Sequence, residues 1–431
     1  MRILLLLLTL CSLTASAQKW RYDFIVPDNG TFVQAIRAAN NRADKARRYR
    51  IFIRNSNYRS KGEGNTITTT VDGRQVSFPS PMTTLTAPNT SIIGEDYHNT
   101  QIESCPQYEG ISITSTLFLK GADSTYIQDV ELWSNFRNDA RLFANRAVAL
   151  NEKDCRGNVF KNLSLMSTQD TYYTNDRGTT YLEDCTIAGT VDFICGGGTI
   201  FFDHCNIRLV SRGDTTKRDV ICAPATAADA PYGYVFSSCY IDGPEHQNGR
   251  YQLGRPWKNA PRAAFVNCCM NITPTPEGWT DMHGTVPALF AEYESTDGHF
   301  EPLDLSRRKT TFRSDDGTTV TAMPHAASLT AEEAERYTTD HVFPEWHPER
   351  LSAQIPPPDL TLKGHTITWP DIPEAGCYAV LRNRTIVAFT TTPSYTVPAG
   401  TLEGTIYTLR CANQRGGLGE PSAPLEFSVR P

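Results

Sequence analysis

Tyr181-Leu-Glu-Asp-Cys-Thr-Ile187 and, twenty residues on, Phe201-Phe-Asp-His-Cys-Asn-Ile207 share one grammar. An apolar or aromatic start leads to a polar residue with turn character, then a small or branched apolar residue, and two positions later another apolar one. Working outward, the same order recurs in Tyr126–Leu132 (YIQDVEL), Val159–Leu165 (VFKNLSL), Val235–Ile241 (VFSSCYI) and Ala264–Met270 (AFVNCCM). The equivalent residues Leu163, Cys185 and Cys205 lie 22 and 20 apart, a period that fits one coil of a parallel β-helix. Longer gaps, such as Cys205 to Cys239, accommodate loops bulging from a coil. The expected fold is therefore all-β: a right-handed parallel β-helix with short capping helices, followed by a small β-sandwich.

Cys185, Cys205, Cys239 and Cys268 occupy one position of the repeat, so they are expected to stack inside successive coils as small hydrophobes rather than to pair. Of the 12 cysteines, Cys11 falls in a leader-like start: a basic Met1-Arg2, an apolar run from Ile3 to Leu10, and a small-residue cleavage pattern at Ala15-Ser16-Ala17. A signal peptide over 1–17 leaves eleven cysteines, an odd number, so at least one thiol stays free. The expected localisation is export, to the periplasm or beyond. No Cys-x-x-Cys pair or Cys/His cluster has zinc-ligand spacing, so neither a metal nor a cofactor is expected. No run after the leader is long and apolar enough to span a bilayer.

With 431 residues, 39% hydrophobic and 20% charged, the chain can bury a large core and is too long for one small domain. Its net charge of -6 supplies no general attraction to nucleic acid or an anionic membrane, so neither is an expected partner. A monomer is favoured. Phe32 to Arg48 suits a helix capping the open end of the solenoid, with Phe32, Val33, Ala35, Ile36 and Ala39 on its apolar side. Near the other end, Thr330-Ala-Glu-Glu333 has the capping-box pattern, with Ala334, Tyr337 and Val342 as its apolar stripe. Pro356-Pro-Pro358 marks a break in composition. Domains are expected at 18–355 for the β-helix and 356–431 for a separate unit, whose segments 366–369, 378–382, 406–411 and 425–429 read as strands between turns. The run from Tyr407 to Ser422 resembles the end of a fibronectin type III-like module, which implies that Trp369 is its early core tryptophan.

The chemistry concentrates in Gln169-Asp-Thr171, Gly189-Thr-Val-Asp-Phe-Ile194 and Leu253-Gly-Arg-Pro-Trp257. Asp170 and Asp192 are 22 residues apart, one coil, and adjacent coils lie roughly 4.8 Å apart. Two neighbouring carboxylates ionise unequally, which yields a proton donor and an anionic nucleophile from one residue type. Against an ester carbonyl such a nucleophile forms an acyl intermediate when an amide donor stabilises the oxyanion. Gln169 can supply that donor and Arg255 a fixed positive charge. Arg146 lies one coil before Gln169, so three coils present polar groups to one cleft able to hold a linear polymer.

At these motifs the sequence resembles the pectin methylesterase family, with QDT, GTVDFI and LGRPW in the family's order and approximate spacing. Further similarity runs through Ala87–Gly94, Arg146–Leu150, Tyr232–Phe236 and Glu292-Tyr293, so that it covers about Trp20 to Leu351. The resemblance implies that Asp192 attacks the methyl ester of homogalacturonan, that Asp170 donates a proton to methanol and then activates water, and that Gln169 stabilises the oxyanion. Arg255 would hold Asp192, and Arg146, Trp257, Tyr172 and Phe193 would contact the substrate. Arg146 departs from the Gln found before Ala-Val-Ala-Leu in many members, and its alternative is a surface ion pair. Cys195 replaces a common aromatic residue and is expected to alter packing near the nucleophile. Two rival readings share the scaffold: a β-helical lyase or polygalacturonase, and a non-catalytic pectin-binding protein.

Overall fold

The computed structural model describes residues 19–71, 73–136, 145–175, 177–212, 216–322 and 326–428. The leader-like segment and Val429 lie outside the described residues. The six recurring heptapeptides fall in register, as the repeat requires. Tyr126 pairs with Val159, Val159 with Tyr181, Tyr181 with Phe201, Phe201 with Val235 and Val235 with Ala264, all parallel. They form the middle of a 10-stranded sheet, and their C-terminal halves run through a 9-stranded sheet. A third, 7-stranded sheet closes each coil, giving the three-sided parallel β-helix.

The turn between the first two sheets has a residue-level cause. The fourth residue of each heptapeptide, Asp129, Asn162, Asp184, His204, Ser238 or Asn267, adopts a left-handed conformation with φ between 48° and 58°. This conformation disfavours branched and bulky residues and is best tolerated by short polar ones. The next side chain then points inward: Val130, Leu163, Cys185, Cys205, Cys239 and Cys268 are all buried. The four cysteines of this column are unpaired thiols. Each donates to a backbone carbonyl of the previous coil, at Phe160, Leu182, Phe202 and Phe236 respectively, 3.4–3.5 Å away. They pack as expected, with their weak donors satisfied. Beside them Phe202, Phe236 and Phe265 form an interior stack with ring centroids 4.5 and 4.2 Å apart.

The N-terminal helix spans Phe32–Asn41 and buries Phe32, Ala35, Ile36 and Ala39. It stops seven residues short of the expected Arg48, because Arg42 at its C-cap is already extended (ψ 143°). At its start, the Thr31 hydroxyl accepts from Gln34 N and the Gln34 side chain accepts from Thr31 N. The second expected capping box, Thr330 with Glu333, also forms, but its helix is only Ala331–Ala334. Val342 belongs to a separate turn of helix, Thr339–Val342. Ala334 and Tyr337 cover Ala264, Val266, Leu289 and Ala291 on the late coils.

The chain divides into compact units, Tyr22–Ala353 and Gln354 onward, and the described residues 19–21 belong with the latter rather than with the β-helix. Trp20 N donates to Gly376 O (2.9 Å), and Lys19 pairs with Asp371 (2.9 Å). Among the described residues this unit has two antiparallel sheets, of three and four strands. Trp369, Tyr378, Val380, Tyr407 and Leu409 fill its core. No helix among the described residues is long and apolar enough to cross a membrane.

Candidate active site

The third sheet carries the chemical motifs. Strand Tyr172–Asn175 pairs with Val191–Gly196 in the register Tyr172 to Ile194, which sets Asp170 opposite Asp192 across one coil spacing. Asp170 N also donates to Val191 O (3.3 Å). On the other side, Arg146 bridges Gln169 in parallel register, so the three successive coils meet as the spacing predicts. Both aspartates are left-handed, with φ 61° at Asp170 and 50° at Asp192. Next to Asp192 the pairing to strand Val220–Pro224 shifts register between Val191 and Ile194. Such an irregularity re-aims a side chain locally. Gly189 of the GTVDFI motif permits the crowding: a Cβ there would meet Phe193 Cβ at 2.2 Å and Thr168 O at 2.5 Å.

Arg255 reaches Asp192 with two parallel bonds, Nε to Oδ1 (2.8 Å) and Nη2 to Oδ2 (2.5 Å). A bidentate guanidinium fixes both the charge and the orientation of a carboxylate. Strand Gln252–Gly254 delivers it, since Arg255 N donates to Cys222 O (3.0 Å). Asp170 has no such partner. Burial, augmented by the negative charge of Asp192, pushes its carboxyl up to about 7. Hydrogen bonds from Cys195 and Gln169 and the charge of Arg146 oppose that rise without cancelling it. The pair is thus split between a carboxylate locked by a cation and a carboxyl that holds its proton near neutrality, the division acid and nucleophile chemistry needs.

Arg146 makes an exposed ion pair with Glu109 (2.9 Å). Trp257 is half-buried, tilted against Tyr173 with centroids 6.2 Å apart, and Lys258 Nζ lies 4.8 Å from its ring centroid. These aromatic side chains edge a cleft of about 560 Å³ that Arg156, Arg177 and Lys258 also line. Gly196 and Gly197 line it as well, together with Asp123 and Asp154.

Two expected substrate contacts are corrected. Tyr172 and Phe193 are 0% exposed and belong to the interior cluster. Tyr172 instead donates to Glu152 Oε2 (2.6 Å), a buried carboxyl that Asn158 and Thr180 also satisfy. Tyr173, its neighbour, is the outward residue that the sequence reading missed. The signal was the inner column Leu117, Leu150, Tyr172 and Ile194, apolar at every level except for one phenol. Away from these motifs, Asp340, His347 and Glu349 bring one potential ligand atom each within 4.8 Å of one another. His347 Nδ1 lies 3.4 Å from Asp340 and 3.8 Å from Glu349.

The Pectinesterase family model matches residues 30–301, which include QDT, GTVDFI and LGRPW. Over 152 residues the chain is 38% identical to probable pectinesterase/pectinesterase inhibitor 44 of Arabidopsis thaliana, covering 34% of this chain and 28% of that protein. It is 35% identical to pectinesterase 31 of the same plant over 144 residues, 33% of this chain and 43% of the relative. The match therefore spans less than half the length of these curated relatives. Among solved structures, the pectin methylesterase of Erwinia chrysanthemi superposes with a TM-score of 0.57 at 21% identity, over 76% of this chain and 99% of that one. The carrot enzyme gives 0.57 at 19%, over 76% and 95%. These structures share the parallel β-helix. With the family model covering well over half of the sequence, the chain belongs to the pectinesterase family.

Proposed function

We propose that the protein is an exported carbohydrate esterase that hydrolyses methyl esters of homogalacturonan to pectate and methanol, through an acyl-enzyme on Asp192. The observation that carries this reading is the unequal carboxyl pair: Asp192 clamped by Arg255, Asp170 one coil away with its proton held up to about 7. An Asp192 oxygen attacks the ester carbonyl carbon, and the carbonyl electron pair moves onto oxygen, where the Gln169 amide donates to it. Collapse breaks the bond to methoxide, which takes the proton of Asp170 and leaves as methanol. Water then attacks the acyl carbon and gives a proton to the Asp170 carboxylate. The product leaves as the carboxylic acid and loses its proton to solvent, which restores Asp192 as a carboxylate and Asp170 as an acid and closes the cycle with water as the one co-reactant.

The cleft suits a sugar polymer, since Trp257 and Tyr173 offer apolar faces to sugar rings, and Arg156 and Lys258 bring positive charge to a lining that also holds Asp123 and Asp154. Segment 1–17 serves as a cleaved signal peptide and 356–431 as a fibronectin type III-like module; the protein acts as a monomer. Incubation with highly methylated pectin, measuring methanol and chain length together, tests the assignment. Methanol release at constant chain length is the expected result. Chain shortening would select a lyase or polygalacturonase, and binding without either product would select a non-catalytic protein.

A further inference from the structure

The strand that carries Asp192 also places an unusual neighbour against the acid. Cys195 stands in the column Asn151, Tyr173, Cys195 and Ala223, one side chain per coil. Tyr173 in this column reaches the cleft, whereas Cys195 is 1% exposed. Its Sγ lies 3.6 Å from Asp170 Oδ1, within reach of a thiol-to-carboxylate hydrogen bond. We propose that Cys195 is a positioning residue for the reaction, its thiol donating to Asp170 Oδ1 so as to orient that carboxyl toward the leaving group and to set how readily it gives up its proton.

The chemistry of the thiol supports a donor role over any other. Burial, and then the charges of Asp170 and Asp192, push its own ionisation well above the ordinary range, so it stays S–H and is no nucleophile. An S–H bond to a carboxylate is weak, yet it favours the ionised form, whereas an aromatic ring at this position would offer the carboxyl no such donor. The other groups bearing on Asp170 are Asp192, which opposes its ionisation, and Arg146 and Gln169, which favour it. Arg255 acts on it across Asp192. Cys195 thus acts with Gln169, Arg146 and Arg255 to restrain a rise driven by burial.

The kinetic part of this inference rests on the esterase reading; the hydrogen bond does not. The test combines ¹³C NMR titration of the aspartate carboxyls, assigned through Asp170→Asn, with the pH profile of kcat/KM on methylated pectin. Wild type, Cys195→Ala, Cys195→Val and Cys195→Ser are compared. With the donor gone in the Ala and Val proteins, Asp170 should titrate about 0.5–1 pH unit higher, as removal of one weak stabiliser of the charged form predicts. The alkaline limb of the profile should move up by the same amount, because the first step needs Asp170 protonated. The hydroxyl of Cys195→Ser should keep the limb at or below its wild-type position. Unchanged Asp170 titration in folded Ala or Val protein overturns the proposal, and so does a Ser protein that behaves like Ala. Should wild type release no methanol, the esterase reading fails on its own, while the NMR titration still decides the hydrogen bond.

Discussion

The corner between the first two sheets and the strip bearing Asp170 and Asp192 use the same backbone device for opposite ends. In the corner, six short polar residues take a left-handed conformation one above another, and most keep their side chains at least partly in solvent. In the strip, two aspartates take the same conformation, but at 5% and 3% exposure. The corner turns the chain at each coil and lets the next residue fill the core. The strip takes two carboxyl groups out of water and holds them together, which costs stability. Left-handed geometry does not mark a site even with a buried carboxyl, since Asp129 in the corner is 6% exposed and held by amides of Gln128 and Asn162. The strip differs in setting two such carboxyls on adjacent coils, one of them clamped by Arg255.

The largest test of this contrast exchanges an aspartate in each region for alanine. Asp192→Ala removes the nucleophile and should lower methanol release by on the order of 10⁴ or more, while the protein keeps its circular dichroism spectrum. Asp184→Ala, in the corner, should leave turnover unaltered and cost about 1–2 kcal/mol in denaturant unfolding, the penalty of a Cβ without a local polar partner in this conformation. Equal losses of activity in both proteins would dissolve the distinction. Next in size, Gln169→Ala should reduce kcat by on the order of 10²–10³ with KM little changed, as for loss of an oxyanion donor.

What could be read from the sequence follows the same division. The corner repeats at every coil, so six copies of one pattern fix the register, the cysteine column and the second sheet. Asp170, Asp192, Gln169 and Arg255 were legible because motif order and a 22-residue coil bring them together. Which residues beside them face the cleft was not. The left-handed Asp170 breaks the alternation of sides, so counting two residues on from it puts Tyr172 on the wrong face, whereas Phe193, next to Asp192, lies inward as strict alternation gives. Helix length failed for a similar reason: Arg42 to Arg48 has helix-favouring composition, but no apolar face is needed where the chain already turns into strand Tyr49–Ile53. The role of Cys195 was hidden because a thiol between two apolar residues reads as packing.

The stability cost assigned to the strip is measurable through pH. Asp170 has a folded-state value raised to about 7, against an ordinary 3.8. Between those values the folded protein holds a proton that the unfolded chain has released, so stability falls as pH rises through this window. Asp170→Asn should therefore be more stable than wild type by about 1–4 kcal/mol at pH 8, with the gap closing toward pH 4. A constant gap across that range would show that the carboxyl is not held protonated. In the corner, Cys205→Ala leaves a small void and should cost about 1–2 kcal/mol with no pH dependence below pH 8.

The smallest expected effect concerns Arg146, which belongs to neither extreme. Its guanidinium is 47% exposed and paired with Glu109, so the pair itself is worth little to stability. Its charge nevertheless reaches Asp170 and favours ionisation there. Arg146→Ala should therefore unfold within about 0.5 kcal/mol of wild type. On sparsely methylated pectin, where free galacturonate carboxylates are abundant, KM should rise about 2–5-fold, and less on highly methylated pectin. Because exposed charges are screened within about 8 Å at physiological ionic strength, that difference should shrink further in concentrated salt. Arg146→Gln should keep kcat, with the same loss of preference for the acidic polymer. If kinetics on all pectins stay unchanged at low salt, Arg146 serves only its ion pair with Glu109, and the strip of polar groups facing the substrate is shorter by one coil.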